Sequence, residues 1–274
     1  METGPGGPVP ADSPVRATGL RAVLRQAEAA LGTDSPASAR LDMYREFLRL
    51  EEQRLEEQAR AGISGLDLAK RRAQLLTVVL ERLWEQAGGP GAGDGLVLGA
   101  VGGFGREEMS PASDIDLVFI REGATDRTAE EVVKQILYVL WDLGLKVGHA
   151  CRTVAETVER AEGEPMIKTA LLDARRITGS SVLWDRFLAE FSKKNLGRGV
   201  EAYLSWRLEN QASRHAKEGG TVFVQEPNLK TGIGGLRDFH NLRWVGRVSG
   251  EGISPAELVS KGWLSSAEAG QAES

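Results

Sequence analysis

Residues 96–120 read LVLGAVGGFGREEMSPASDIDLVFI. An apolar run (96–101) leads into Gly102 and Gly103. A polar loop follows, and a second apolar run (114–120) carries Asp114 and Asp116. Aspartate is poorly suited to a buried strand, so the pair needs a reason. Alternate residues of a strand share a face, so Asp114 and Asp116 are expected to project together while Ile115 and Leu117 enter the core. Two adjacent carboxylates repel, and each raises the other's pKa. A pair of Mg²⁺ ions about 3.5–4 Å apart would resolve that repulsion.

The loop before them fits the same chemistry. Glycines directly after a strand let backbone approach a ligand and turn N–H groups toward phosphate. Ser110 and Ser113 bring hydroxyls, and Arg106 a positive charge. A phosphate-cradling loop beside a divalent-metal pair describes a site for a nucleoside triphosphate and in-line phosphoryl chemistry. The bland alternative is a sheet edge with two solvated aspartates and a flexible turn. The flanking LVFI argues for a buried strand instead.

Working outward, 128–144 is an amphipathic helix closed by Gly144, and 145–154 reads as a third strand. The order strand, loop or short helix, strand, helix, strand makes a small mixed sheet with helices, an α+β fold. Helical periodicity marks 17–31, 38–61 and 66–87, the last with a stripe of Leu66, Leu75, Leu76, Val79, Leu80 and Leu83. Later helices are expected at 154–161, 181–194 and 198–216. The stretch 169–179 suits either a helix or a strand. A glycine-rich loop then runs into a helix over 223–247. The expected organisation is a disordered leader (1–15), a helical region (16–88), the sheet core (89–180), a helical domain (181–264) and a polar tail (265–274).

Acidic residues outnumber basic ones, 39 to 34, for a net charge of −5 in 274 residues. That argues against stable nucleic-acid binding as the main function. Cys151 is the only cysteine, so no internal disulfide forms, which fits a reducing cytoplasm. The N-terminus lacks a signal-peptide pattern, and no apolar run reaches membrane-spanning length.

The strand, Gly-Gly, D-x-D segment resembles the signature of the DNA-polymerase-β-like nucleotidyltransferases. Residues 96–120 also resemble the catalytic segment of the bacterial PII-protein uridylyltransferase/uridylyl-removing enzymes. EPNLKTGIGGLRDFHNLRW (226–244) is similar to a downstream stretch of that family, and LGLKVGHACRTVAET (143–157) to the segment between. The resemblance implies that Gly102 and Gly103 hold the triphosphate and that Asp114 and Asp116 hold Mg²⁺. It further implies UTP as substrate and a tyrosine of the PII signalling protein as acceptor, with pyrophosphate leaving. A third carboxylate, the base for the incoming hydroxyl, is expected on a later strand; Asp173 is the first candidate and Glu156 the second.

The chain departs from the family's usual G-Y-G-R-G-E-L loop, with Glu107 at the small glycine and Met109 at the leucine. The family continues into a hydrolase domain with a His-Asp doublet and into ACT sensing domains. This chain has only His149, His215 and His240 and no such doublet. Uridylyl removal and ACT-based glutamine sensing are therefore expected to be absent.

NLKTGIGGLRD (228–238) lacks the G-x-x-x-x-G-K-[ST] order of a P-loop. Lys230 and Arg237 there are candidates for phosphate or base contacts. The structural alternative pairs Arg237 with Asp238 locally and uses the glycines for turns. His149 and Cys151 read as a semi-buried histidine and a small apolar cysteine, and Trp206, Trp244 and Trp263 as helix-packing residues. Two other functions fit the residues: a stand-alone nucleotidyltransferase acting on another protein, a small molecule or RNA, and a non-catalytic nucleotide-binding module. A glycosyltransferase also uses D-x-D, but the Gly-Gly turn disfavours it.

Overall fold

Ile115, Leu117 and Phe119 alternate with Asp116, Val118 and Ile120, and the sheet is organised by that alternation. The computed structural model describes residues 37–89, 91, 95–123, 127–249, 255–260, 262, 265–267 and 270. The leader, the helix expected at 17–31 and Trp263 lie outside the described residues. Two helices open the described residues, α1 (Ala37–Arg60) and α2 (Gly65–Gln86). Ser64 starts α2 by accepting a hydrogen bond on Oγ from Asp67 N at 3.1 Å. Strand β1 (Leu96–Ala100), the short helix α3 (Gly102–Gly105), β2 (Ile115–Arg121), α4 (Arg127–Asp142) and β3 (Val147–Thr153) follow.

The expected ambiguity at 169–179 resolves into both alternatives. A helix α6 (Pro165–Leu172) follows α5 (Val154–Gly163), and then comes strand β4 (Arg175–Gly179). Helices α7 (Ser181–Asn195), α8 (Val200–Lys217), α9 (Leu236–Ser249) and α10 (Pro255–Ser260) complete the described elements.

The four strands lie in the order β3-β2-β1-β4. Both neighbours of β1 run antiparallel to it, with Leu98 opposite Phe119 on one side and Thr178 on the other. The starts of β2 and β3 meet: Ile115 N donates to Lys146 O at 2.8 Å, and Asp116 lies against Gly148. The two contacts advance in the same direction, so this pair is parallel and the sheet is mixed.

Leu96, Leu98 and Ala100 of β1 and Ile115, Leu117 and Phe119 of β2 enter one core. They share it with Tyr44 and Phe47 of α1, with Leu76, Val79, Leu80 and Leu83 of α2, and with Ile136 and Leu140 of α4. The α2 stripe is therefore as expected except for Leu66, which is exposed. At about 25 cal/mol per Å² of apolar burial, this shared core makes α1 and α2 part of the unit that holds the sheet.

The chain divides into two units. Among the described residues, the first comprises residues up to 152 together with 175–183, and the second comprises 153–174 and those from 184 on. β4 belongs to the sheet although α5 and α6, which precede it, belong to the helical unit. Within that second unit Thr153 caps α5 reciprocally with Glu156. The Thr169 and Tyr203 hydroxyls share a 2.8 Å hydrogen bond, and Trp184, Phe187 and Phe191 form an aromatic row along α7.

Candidate active site

The first unit concentrates its unusual chemistry where β1 ends and β2 and β3 begin, near the glycine loop. Asp116 is half-buried on β2. A methyl group added to Gly148 would lie 2.5 Å from Asp116 Oδ1, and one added to Gly102 would lie 3.3 Å from Oδ2. The carboxylate therefore occupies a slot whose two walls lack side chains. Val101 N also donates to the Asp116 carbonyl at 3.0 Å, which joins the start of the loop to the same residue. Gly102 has φ +58°, a left-handed conformation that suits glycine.

Asp114 differs from expectation. It precedes β2 rather than beginning it and is exposed. The ladder starts only at Ile115, whose N–H reaches Lys146 O. Ser113 sits in the turn ahead of it, its N–H donating to Ser110 O at 3.1 Å.

The loop forms a single helical turn. Gly105 N donates to Val101 O at 3.0 Å, and Arg106 N to Gly102 O at 3.1 Å. The first N–H groups of such a turn have no acceptor within it, and here they belong to Gly102 and Gly103. Arg175 of β4, which sequence reasoning missed, supports the turn. Its Nη2 donates to Phe104 O at 3.4 Å and to Thr77 Oγ1 at 3.2 Å, and its guanidinium lies 5.5 Å from the Phe104 ring centre. Burial lowers its pKa, a shift opposed by Glu107 and Glu81.

Arg106, expected as a phosphate contact, has its Nε on Glu108 Oε2 at 2.7 Å, with only 9% of its side chain exposed. It braces the loop. Glu107 has φ +61°, so the position where the related loop has glycine is left-handed here and carries a β-carbon at some cost. Met109, the other departure, is fully buried in the core.

The two acids suit Mg²⁺, which is bound through one or two carboxylates together with substrate phosphates rather than by an all-protein cage. Asp116 is held by its slot, and Asp114 is exposed beside it in sequence. Among the described residues no group of three or more His, Cys, Asp or Glu side chains forms a metal cluster.

Both candidates for a third carboxylate are engaged in the helical unit. Asp173 is buried, accepting from Trp244 Nε1 at 2.7 Å and Arg247 Nη1 at 2.9 Å. Glu156 accepts from Thr153 N at 2.8 Å and Thr153 Oγ1 at 3.0 Å. Asp173 thus anchors α9, and Glu156 caps α5.

Comparison with known proteins bears on this geometry. A nucleotidyltransferase-domain model matches residues 90–178, which contain the loop and both aspartates. A GlnD PII-uridylyltransferase model matches residues 203–274. The bifunctional uridylyltransferase/uridylyl-removing enzyme of Burkholderia vietnamiensis is 35% identical over 215 residues, 78% of this chain and 24% of its own length. The corresponding enzyme of Phenylobacterium zucineum is 36% identical over 214 residues, 75% of the chain and 22% of its own length. That of Novosphingobium aromaticivorans is 39% identical over 176 residues. The chain belongs to the PII-uridylyltransferase family. It carries a nucleotidyltransferase domain, and it spans about a quarter of the length of these curated relatives.

The uridylyltransferase-family stretch in the helical unit includes the loop before α9. Asn228 Oδ1 accepts from Lys230 N and Thr231 N, both at 3.1 Å. A methyl on Gly232 would lie 2.7 Å from Asn228 O, and one on Gly235 2.8 Å from Leu229 O. Close backbone packing therefore explains these glycines. Asp238 has partners other than Arg237, the local partner of the structural alternative. It accepts from Gly234 N and His215 Nε2, both at 2.9 Å, and from Arg214. Lys230 is exposed, and Arg237 lies 5.6 Å from the Trp244 ring centre. His149, expected to be semi-buried, is exposed beside Trp141 at 5.9 Å.

Proposed function

We propose that this nucleotidyltransferase transfers UMP from UTP to a tyrosine of the PII signalling protein and releases pyrophosphate. The observation that carries the reading is the Asp116 carboxylate seated between Gly102 and Gly148 beside a glycine turn, with Asp114 two residues before it in sequence. The family match supports UTP as the donor and PII as the acceptor. The tyrosine oxygen attacks the α-phosphorus, and the bond from that phosphorus to the bridging oxygen of the β-phosphate breaks. Gly102 and Gly103, which carry no side chains, would leave room for the triphosphate at their backbone N–H groups. Asp114 and Asp116 would hold Mg²⁺, which when bound neutralises charge on the phosphate oxygens. A lone cysteine suits the cytoplasm, where we place the reaction. No helix among the described residues is long and apolar enough to cross a membrane.

The test is label transfer. The chain, PII, α-labelled UTP and Mg²⁺ should give labelled PII, with ATP, CTP and GTP as competitors of lower rate. Label on another acceptor but not on PII would remove PII from the reading. No transfer from any nucleoside triphosphate would remove the activity.

Glu156 offers a separate check. Glutamine keeps the cap's acceptor oxygen, so Glu156→Gln is expected to retain both transfer and stability. Thr153→Ala should cost about 1 kcal/mol of stability in urea denaturation. A large loss of turnover in Glu156→Gln, with stability unchanged, would mark Glu156 as the base.

A further inference from the structure

Arg207 of α8 is 6% exposed. Its Nε and Nη2 are both buried and reach no acceptor among the described residues. Its guanidinium lies 4.6 Å from the Trp244 ring centre and 5.2 Å from that of Trp206. Arg237 approaches the same Trp244 ring at 5.6 Å. Arg214 lies two turns along α8 from Arg207, hence on the same face; its Nε and Nη1 are also buried without an acceptor. Burial lowers the pKa of Arg207; Tyr203 opposes that shift, and Arg237 and Arg214 are close enough to add to it. Among the described residues, no carboxylate accepts from these four nitrogens of Arg207 and Arg214. Asp173 takes Trp244 Nε1 and Arg247, while Asp238 takes His215, Gly234 N, Gln211 and one nitrogen of Arg214.

A buried guanidinium with unmet donors is costly, and the cost falls away when an anion supplies acceptors. We infer that the helical unit contains an oxyanion site built on Arg207, flanked by Arg214 and Arg237, that takes a phosphate group. Four buried nitrogens of Arg207 and Arg214 lack acceptors. A planar monoanionic carboxylate offers two oxygens, whereas a phosphate offers three or four and up to two charges, which matches these four nitrogens better. Arg214 and Arg237 are only half-buried, so the cluster has an edge that meets solvent. The inference rests on the arginines alone and stands apart from the reaction assigned to Asp114 and Asp116.

Thermal melting and tryptophan fluorescence test it, because Arg207 lies between Trp206 and Trp244. Inorganic phosphate is titrated at constant ionic strength against the whole chain, its Arg207→Met and Arg207→Lys variants, and Asp116→Asn. The wild type should gain about 3–6 °C in Tm at ten times the dissociation constant, with a saturable change in fluorescence. Arg207→Met should lose both responses, yet melt no lower than wild type without phosphate, because an unpaired buried charge has gone. Arg207→Lys should respond weakly, and Asp116→Asn like wild type.

An Mg²⁺–UTP arm in the Asp116→Asn background identifies the source of the group. An Arg207-dependent response there as well assigns a nucleotide-borne phosphate, and a response to inorganic phosphate alone assigns the free ion. The inference is overturned if Arg207→Met responds like wild type, if no chain responds, or if the response disappears in Asp116→Asn instead. It is also overturned if Arg207→Met melts well below wild type in phosphate-free buffer, since a protein group would then be satisfying Arg207.

Discussion

Alanine at Gly148 is expected to lower nucleotide transfer by about 100-fold or more, close to the loss from Asp116→Asn, with little change in stability. The added methyl would stand 2.5 Å from Asp116 Oδ1, well inside van der Waals contact. Gly148 is exposed on β3, and its φ is not in the left-handed region, so the backbone accepts alanine. The only atom in severe conflict is a carboxylate oxygen that can rotate away. Rotation relieves the clash cheaply but moves the carboxylate proposed to hold the metal by a substantial fraction of an ångström. Misplacements near 1 Å cost about 100-fold in rate. Steady-state kinetics over a range of Mg²⁺ and Mn²⁺ concentrations, paired with urea denaturation, check this. The midpoint in urea should stay near wild type while kcat falls and the half-saturating metal concentration rises. Wild-type kcat in a folded Gly148→Ala protein would show that the slot does not matter.

Gly179→Ala is expected to act oppositely, through stability. Gly179 lies at the end of β4 with φ +91°. A methyl there would sit 2.6 Å from Leu96 O, 2.8 Å from Val97 Cα and 3.0 Å from Trp84. Two of these are backbone atoms of β1, the strand paired with β4. The conflict cannot be relieved by a side-chain rotation. Leu96 O also accepts from Ser180 N at 3.0 Å, so displacing it disturbs the next hydrogen bond. The left-handed φ and the overpacking together should cost about 2–5 kcal/mol. Urea denaturation followed by circular dichroism measures it, and a loss under about 1 kcal/mol would contradict the packing described for this corner.

The fold could be read largely from residues 96–120, because the two apolar runs, the glycines between them and the D-x-D spacing all pointed to the same arrangement. What could not be read depends on neighbours distant in sequence. Asp114 falls one residue ahead of β2 because the ladder is set by Lys146, on the far side of α4. Gly148 went unnoticed in VGH although a glycine inside a strand often marks close approach by another group; the group proved to be Asp116. Arg175 lies in the stretch that suited either a helix or a strand, and only the pairing of β4 with β1 brings it to Phe104.

The acids show the same limit. Asp173 and Glu156 resembled catalytic candidates because a local pattern gives an acid's position without its partners. The structure supplies Trp244 and Arg247 for the first and Thr153 for the second. The glycines of 228–238 looked equally suited to a ligand or to turns, and their distances to Asn228 O and Leu229 O explain them by backbone packing.

The central claim is that Asp114 and Asp116, with the glycine turn at Gly102 and Gly103, form one metal-dependent nucleotide site. Isothermal titration of UTP into the wild-type chain and into Asp114→Asn and Asp116→Asn, with and without Mg²⁺, tests it most directly. The account predicts saturable Mg²⁺-dependent binding by wild type that is abolished in Asp116→Asn and strongly weakened in Asp114→Asn, with all three proteins folded. Binding of UTP by both variants with wild-type affinity and the same Mg²⁺ dependence would contradict it.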